Sequence, residues 1–575
     1  VIYKHFIDSL AIYSFCPEIF QGGRVIDVGT GAGFPGIPLA IAFPNTKFVL
    51  LDSLNKRIQF IRSVSQKLEL KNLEAEHGRA EDFAKNLDYR EQFDYCVSRA
   101  VANLSTLSEY CLPFVKVGGL GDVMGGLPAA LNDSGVDARV VLPLYSSIDR
   151  NKYNINFVKY IYVSLGWKQI YCGIFETEYK GIKFYFIDNE QYFNRYQTYG
   201  EPDDGERFAF FSKAAVDIMP HIDFKADIMN ANDWHAALSV VYLDLYRREG
   251  YDFYRDMKSV ISIHNIEFQG KYNPYVLGSL FGLGNEYLGA LTFDGDINLL
   301  KGAIQLADRV NTVSETYANE ILDPYFAFGL SPVLSSERWK LRGIVNGIDY
   351  DKFNPESDNM ISQNFSLKTL DKKIKNKLAF QEEMALEVSE DIPMVGMVTR
   401  LTGQKGIDLV VEAAEHILNM GAQLVILGTG DPYFEEQLRN LEYRRHDKMR
   451  SIIMFSNELS SKIYASSDIF LMPSKSEPCG LSQLIAMRYG SIPVVNRVGG
   501  LRDTVEPFDP TRMTGYGFTF ESYNVYDMLD AIKRALDVYN YDQKTWKHIM
   551  RNAMDHDMTW DNSAKKYLDM YREVL

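Results

Sequence analysis

Past residue 138 the chain keeps returning to one arrangement: a short apolar run, a segment of helix length, and another short apolar run. "DARVVLPLY", "IKFYFIDNE", "ADIMNANDWH", "KSVISIHNIEFQG" and "ADRVNTVS" make one series. "IPMVGMVTRL", "AQLVILGTG", "SIIMFSN", "IFLMPSK" and "IPVVNRVGG" make a second. Apolar runs at this spacing read as strands alternating with helices. The reading is α/β: two doubly wound, Rossmann-like domains in tandem, with two sets of strand carboxyl ends across one cleft, where such sheets bind ligands. A chain of 575 residues also exceeds one hydrophobic core and has room for about three or four domains of ~150 residues.

Another unit precedes these two. "GRVIDVGTGAGFPGIPLAIAF", residues 23–43, is a buried strand, a glycine-rich turn and a helix, with Pro38 early in the helix where a missing N–H costs little. Gly29, Gly31 and Gly33 let the backbone pass close to a ligand at the helix N-terminus. The next strand, "KFVLLDS", ends in Asp52, twenty-one residues after Gly31, where a carboxylate can take a pair of ribose hydroxyls. Strand, turn, helix and acid together point to a nucleotide-type cofactor.

At the strand ends of the later series sit residues suited to a sugar diphosphate. "KVGGLGD" puts Gly118 and Gly119 at a helix start, where bare N–H groups and Lys116 can meet phosphate. "TRLTGQKG" carries Arg400 and Lys405 on a loop leaving a strand, two fixed cations for a departing diphosphate. "SKSEPCGLSQ" sets Glu477 before Cys479, Gly480 and Ser482; a carboxylate there can grip two sugar hydroxyls while the helix N-terminus takes phosphate. Asp233 and His235 in "NDWH" and His264 in "IHN" bring polar groups to the opposite wall. Each has an ordinary alternative. A histidine after a strand is more often hydrogen-bonded in a core, an Arg–Lys pair is usually solvated, Glu477 can cap its helix, and Cys479 can simply pack. It is their joint placement that favours a site.

Composition narrows the classes. A net charge of −15 disfavours a dedicated nucleic-acid binder, and residues 1–119 carry thirteen Lys/Arg against thirteen Asp/Glu. The five cysteines form no CxxC pair, which argues against a disulfide framework or a zinc site and for a reducing cytosol. No eighteen-residue apolar run suggests a membrane span, and no basic-then-apolar leader suggests secretion. Because the chain opens at Val1 inside a helical pattern, further N-terminal sequence is expected.

Two family resemblances follow from these motifs. "HFIDSL", "DVGTGAGFPGIPLA", "LLDSLNKRIQF", "HGRAED" and "VSRAVANL" resemble the small-subunit ribosomal RNA guanine-N7 methyltransferases over residues 5 to about 119. That resemblance implies S-adenosylmethionine held by Gly29, Gly31 and Asp52, with Ala80 and Glu81 at its adenine and Arg99 facing RNA. The family's leading helical segment and its closing strands after "FDYCVSRA" are both missing. From Pro113 to Leu575, "KVGGLGDV", "NDWHA", "ADRVNTVS", "IVNGID", "RLTGQKG" and "PSKSEPCGLSQL" resemble bacterial glycogen synthases and plant starch synthases. This resemblance implies the GT-B arrangement and retaining, metal-independent transfer of glucose from ADP-glucose to the non-reducing end of an α-1,4-glucan such as glycogen, in the cytoplasm and without a cofactor. Carried over by position, Lys116 and the glycines cradle the diphosphate and Arg400 and Lys405 neutralise it. Asn346 and His264 orient the glucose, Glu477 binds its hydroxyls, and Phe455 stacks on adenine. A second glutamate that many related retaining transferases carry eight positions after the first is Ile485 here, which agrees with the glycogen synthases.

The expected organisation is therefore a truncated methyltransferase-like domain at 1–112, synthase domains at 113–352 and 353–555, and a helix at 556–575 crossing back to the first of them. "PFVKVGG" fits both families, and the join lies on that shared stretch. The synthase lacks its first strand there. The strand in "FDYCVSRA" is expected to stay in the methyltransferase-like sheet rather than supply the missing one, with a helix at Leu104–Cys111 between. Glucosyl transfer is the leading reading; rRNA methylation and non-catalytic glucan binding are the alternatives.

Overall fold

The computed structural model describes residues 9, 23–28, 30–52, 54–78, 95–97, 118–146, 148–195 and 198–575. They divide into two units, one built on Val1–Val115 and a larger one running from Lys116 to Leu575. The expected helix at Leu104–Cys111 lies outside the described residues.

The smaller unit is a parallel sheet in the order Leu73–His77, Thr46–Asp52, Gly23–Val28, Tyr95–Val97. Near-continuous apolar runs such as Phe48–Leu51 suit strands covered on both faces. Val25, Phe48 and Leu50 form the core with Leu39, Ile58 and Ile61 of the flanking helices Gly36–Ala42 and Asn55–Lys67. Tyr95–Val97 pairs with Gly23–Val28, while Arg139–Pro143 belongs to a different sheet. The methyltransferase-like strand stays in its own sheet, as the pattern led us to expect.

The larger unit holds the two doubly wound layers. Its C-terminal sheet is fully parallel, in the order Met449–Ile452, Gln423–Leu427, Met394–Val398, Ile469–Met472, Ile492–Asn496, Phe518–Phe520. In chain order that is 3-2-1-4-5-6, with the strand order reversing direction beside Met394–Val398, where such folds place a ligand. The helix Ile407–Asn419 covers it with Ile407, Val410, Ala414 and Ile417, an apolar stripe at helical spacing.

The N-terminal layer is in two pieces. Leu341–Gly343, Arg309–Thr312, Lys258–Ile263 and Ile228–Asn232 pair in parallel. The other piece pairs Arg139–Pro143 in parallel with Ile182–Asp188, followed by antiparallel Lys168–Tyr179 and Asn156–Leu165. Both pieces share one core, with Ile174, Tyr185 and Ile187 packed in the same cluster as Met229, Ile261 and Val310. A doubly wound sheet normally seats its first strand between the second and the fourth. Here Arg139–Pro143 and Ile228–Asn232 each have one strand partner among the described residues. The hairpin Asn156–Tyr179 was not anticipated. Its outward Tyr160, Tyr162 and Tyr171 are exposed, so it lacks the continuous apolar run of a buried parallel strand.

The last helix, Trp560–Arg572, packs Trp560, Ala564, Tyr567 and Met570 against Val123, Leu127, Ala130 and Leu131 of the helix Gly118–Asp133. Tyr567 and Tyr571 accept hydrogen bonds from the side chains of Asn311 (2.8 Å) and Asn230 (3.0 Å). This strap ties the C-terminal end of the chain to the first helix of the larger unit. Among the described residues no helix is long and apolar enough to cross a membrane.

Candidate active site

Lys405 and Glu477 are 72 positions apart in sequence and meet directly. Lys405 Nζ donates to both carboxylate oxygens of Glu477, at 2.8 and 2.6 Å, and the Ser474 hydroxyl donates to Oε2 at 3.0 Å. The local chain makes this contact possible. Lys405 closes a one-turn 3-10 segment, Gly403–Lys405, and Gly406 follows at φ 76°, the left-handed region that glycine enters without strain. A Cβ on Gly406 would collide with the carbonyl oxygen of Pro473, so glycine lets the cationic loop lie against the loop that carries Glu477. The Lys475 N–H donates to the Gln404 carbonyl at 2.9 Å and ties the two loops together. Glu477 is 5 % exposed, deep enough for the ion pair to matter, and Lys405 is the more open partner, with 15 % of its side chain exposed. Arg400, on the same loop, is exposed, and its side chain makes no hydrogen bond or ion pair among the described residues.

Beyond Glu477, Gln483 Nε2 donates to the carbonyls of Cys479 and Gly480 and to the Thr504 hydroxyl, which fixes the turn into the helix Ser482–Arg488. Cys479 is buried within the core of the N-terminal layer, and burial pushes its thiol up to about 12. It is a packing residue there, and its thiol is not presented as a substrate ligand. Phe455 lies after the strand Met449–Ile452 and is 52 % exposed, a free aromatic face at a strand carboxyl end.

The opposite wall is built by the ends of Ile228–Asn232 and Lys258–Ile263. Asp233 sits at φ 55°, a conformation uncommon outside glycine. Its Oδ1 accepts the His264 backbone N–H at 2.7 Å. The His264 ring meets Asn232 Oδ1 at 3.0 Å through Nε2, and burial lowers its pKa. His235 turns into an aromatic cluster with Trp234 and Phe208, and burial holds its pKa down at about 4. The two walls are linked by Ser314, whose hydroxyl donates to the Pro478 carbonyl at 2.7 Å, while Thr312 donates to the Ile263 carbonyl within the first wall, also at 2.7 Å. Asn346 is 5 % exposed, and its Oδ1 is buried with no hydrogen-bond partner, an acceptor left open beside the Cys479 loop. Gly118 and Gly119 begin the helix Gly118–Asp133. Lys116 lies outside the described residues.

In the smaller unit, Gly29, Ala80, Glu81 and Arg99 also lie outside the described residues. Asp52 is 3 % exposed, and its oxygens accept from the N–H groups of Gly31 and Leu54, both at 2.9 Å, and from Arg57 at 3.3 Å. These bonds fix the carboxylate at the carboxyl end of the second strand, beside the glycine turn. A residue the motif reading passed over is Asp27. It accepts from Thr30 and from the Gly36 N–H, and burial pushes its carboxyl up to about 6.

Three family patterns match the chain: "Starch synthase catalytic domain" over residues 104–336, "Glycosyl transferases group 1" over 380–553, and "rRNA small subunit methyltransferase G" over 1–130. The glycogen synthase of Clostridium perfringens is 47% identical over 467 residues, 80% of this chain and 96% of that protein. The chain belongs to the glycogen synthase family. The glycogen synthase of Lactobacillus acidophilus is 45% identical over 469 residues, 81% of this chain and 98% of its own length. The catalytic domain of starch synthase IV from Arabidopsis thaliana, solved bound to ADP and acarbose, superposes with a TM-score of 0.75 at 34% identity, covering 80% of this chain and 97% of that one. Family membership makes the larger unit a glycosyltransferase of the GT-B fold. The first and third patterns overlap over residues 104–130, the stretch where the two resemblances meet.

Proposed function

We propose that the larger unit transfers glucose from ADP-glucose to the non-reducing end of an α-1,4-glucan, with retention at the anomeric carbon. The observation that carries this reading is the Lys405–Glu477 pair, one fixed cation beside one buried carboxylate at the switch point of the C-terminal sheet. Before donor binds, Glu477 occupies the Lys405 ammonium. A sugar diphosphate supplies hydroxyls to Glu477 and phosphate oxygens to Lys405 and Arg400, so both partners trade one charge-assisted contact for another. As the bond between the anomeric carbon and the diphosphate oxygen breaks, negative charge grows on the leaving group. Lys405 and Arg400, already in place, stabilise it at no reorganisation cost. His264 and Asn346 offer acceptors to the glucose hydroxyls, and the exposed Phe455 offers a stacking face to the base. The acceptor's terminal hydroxyl oxygen then bonds to the anomeric carbon as the bond to the diphosphate finishes breaking, and the hydroxyl proton passes to the departing diphosphate oxygen. The test is steady-state transfer to glycogen with ADP-glucose and UDP-glucose compared. Preference for ADP-glucose is expected, and a clear preference for UDP-glucose would overturn the donor assignment. Such a reaction on an intracellular polymer belongs in the cytoplasm and calls for no membrane partner.

Methylation of small-subunit rRNA by the smaller unit is a weaker reading, supported by the family match over 1–130 and the glycine turn after Gly23–Val28. The absence of a basic surplus over residues 1–119 and the net charge of −15 count against it. Titration of the protein with S-adenosylmethionine by calorimetry decides the point, and no heat of binding is expected.

A further inference from the structure

We propose that Asn232 is a positioning residue that sets the tautomer of His264, leaving ring nitrogen Nδ1 bare to accept a hydrogen bond from a sugar hydroxyl. The assignment of that hydroxyl to the donor glucose rests on the glucosyl-transfer reading; the tautomer does not.

The argument starts from an amide whose two ends are told apart by their partners. Asn232 Nδ2 donates to the backbone carbonyl of Asn230 at 3.3 Å, an oxygen that can only accept. The amide oxygen is therefore the end that faces His264 Nε2 at 3.0 Å. An amide oxygen has no proton to give, so Nε2 must carry the hydrogen. In a neutral ring the acceptor is then Nδ1, and no described residue bonds it.

Asn230, which anchors the Asn232 amide, is itself held on both sides. Its side chain donates to Tyr571 of the strap helix at 3.0 Å and accepts from Ser262 at 3.0 Å. The adjacent Asp233 holds the His264 backbone N–H at 2.7 Å, so consecutive residues fix the ring and the main chain of the same histidine. Spending the carboxylate on the backbone rather than on the ring has a chemical consequence. A carboxylate accepting from Nε2–H would favour the imidazolium, which has no lone pair left for a substrate. A neutral amide at that position orients the ring without charging it. Asp233 is the charged group that bears on the ring among the described residues, and burial outweighs it, which keeps His264 neutral near pH 7.

The direct test is 15N NMR of the full chain labelled at histidine, with the His264 signals assigned by their loss in His264→Gln. The proposal expects a proton on Nε2 and a bare Nδ1 in the protein without substrate. A protonated Nδ1 overturns it whether or not the protein transfers glucose. The functional arm uses the near-isosteric Asn232→Asp. By placing a carboxylate on Nε2–H, this change should raise the histidine's pKa and move the acid limb of kcat upward by about one pH unit or more. KM for ADP-glucose should change less than twofold. An unshifted pH profile overturns the positioning role, because a residue that only packed would alter stability and leave the profile alone. A wild-type protein that shows the expected tautomer and no glucosyl transfer would sink the proposed function and leave the tautomer assignment standing.

Discussion

Replacing Lys405 by methionine keeps most of the side-chain volume and removes the ammonium. Two effects should separate cleanly. The first is kinetic: one preorganised cation is lost from the position where leaving-group charge develops, which lowers kcat by roughly 10²–10³, or about 2.7–4 kcal/mol. The second is structural. Lys405 gives Glu477 two bonds, at 2.8 and 2.6 Å, and the partners are 15% and 6% exposed at the side chain. Removing one member of so buried a pair leaves Glu477 with the Ser474 hydroxyl alone, at a cost of about 3–5 kcal/mol for a fully buried pair and less here, since Lys405 is partly open to solvent. The assay is turnover of ADP-glucose with glycogen as acceptor, run beside thermal unfolding of the same preparation. Adding Glu477→Gln to Lys405→Met removes the uncompensated charge, so the double variant should regain much of the lost unfolding temperature and none of the lost kcat. A Lys405→Met protein with normal kcat and weakened glycogen affinity would refute the role given to this lysine. So would a double variant that recovers turnover, because the lysine would then matter only for holding Glu477.

Three further outcomes follow from other parts of the structure. Phe455→Ala should raise KM for ADP-glucose by about tenfold, the scale of one base–aromatic stack at about 1–3 kcal/mol, with the glycogen KM unchanged; an unaltered donor KM removes Phe455 from the base site. His235, with its pKa held at about 4 in the folded protein against 6.5 when unfolded, takes up its proton more readily on unfolding. Its contribution is therefore fully present above pH 6.5 and is lost as the pH falls toward 4, so His235→Phe should flatten the acid side of a stability-versus-pH curve measured by urea unfolding; an unchanged slope contradicts this. A Cβ at Gly126 would fall inside the Trp560 indole, so Gly126→Ala should displace the strap helix and lower stability by about 1–3 kcal/mol; equal unfolding midpoints for variant and wild type would mean that the strap is not packed as described.

Much of this protein was legible before any fold was known, because the information was local. Alternating apolar runs set the class and placed the strands Arg139–Pro143, Ile228–Asn232, Lys258–Ile263, Met394–Val398 and Ile469–Met472. Glycine-rich turns after strands marked where ligands can approach, and the stretch "PFVKVGG" fitted two families at once. What the sequence could not supply was pairing over distance. Nothing in "TGQKG" says that Lys405 closes on Glu477; that contact exists because Gly406 lies on Pro473 once two parallel strands are neighbours. Nothing in "NDWH" separates the aspartate that holds a backbone N–H from the asparagine that orients a histidine ring on the next strand. Cys479 reads as part of a ligand loop, yet it packs into the core of the other layer, a burial decided by how the two layers meet. Composition, turn chemistry and periodicity act within a few residues and are written in order along the chain. Ion pairs, tautomers and shared cores depend on which segments become neighbours in space, and only the tertiary structure decided those.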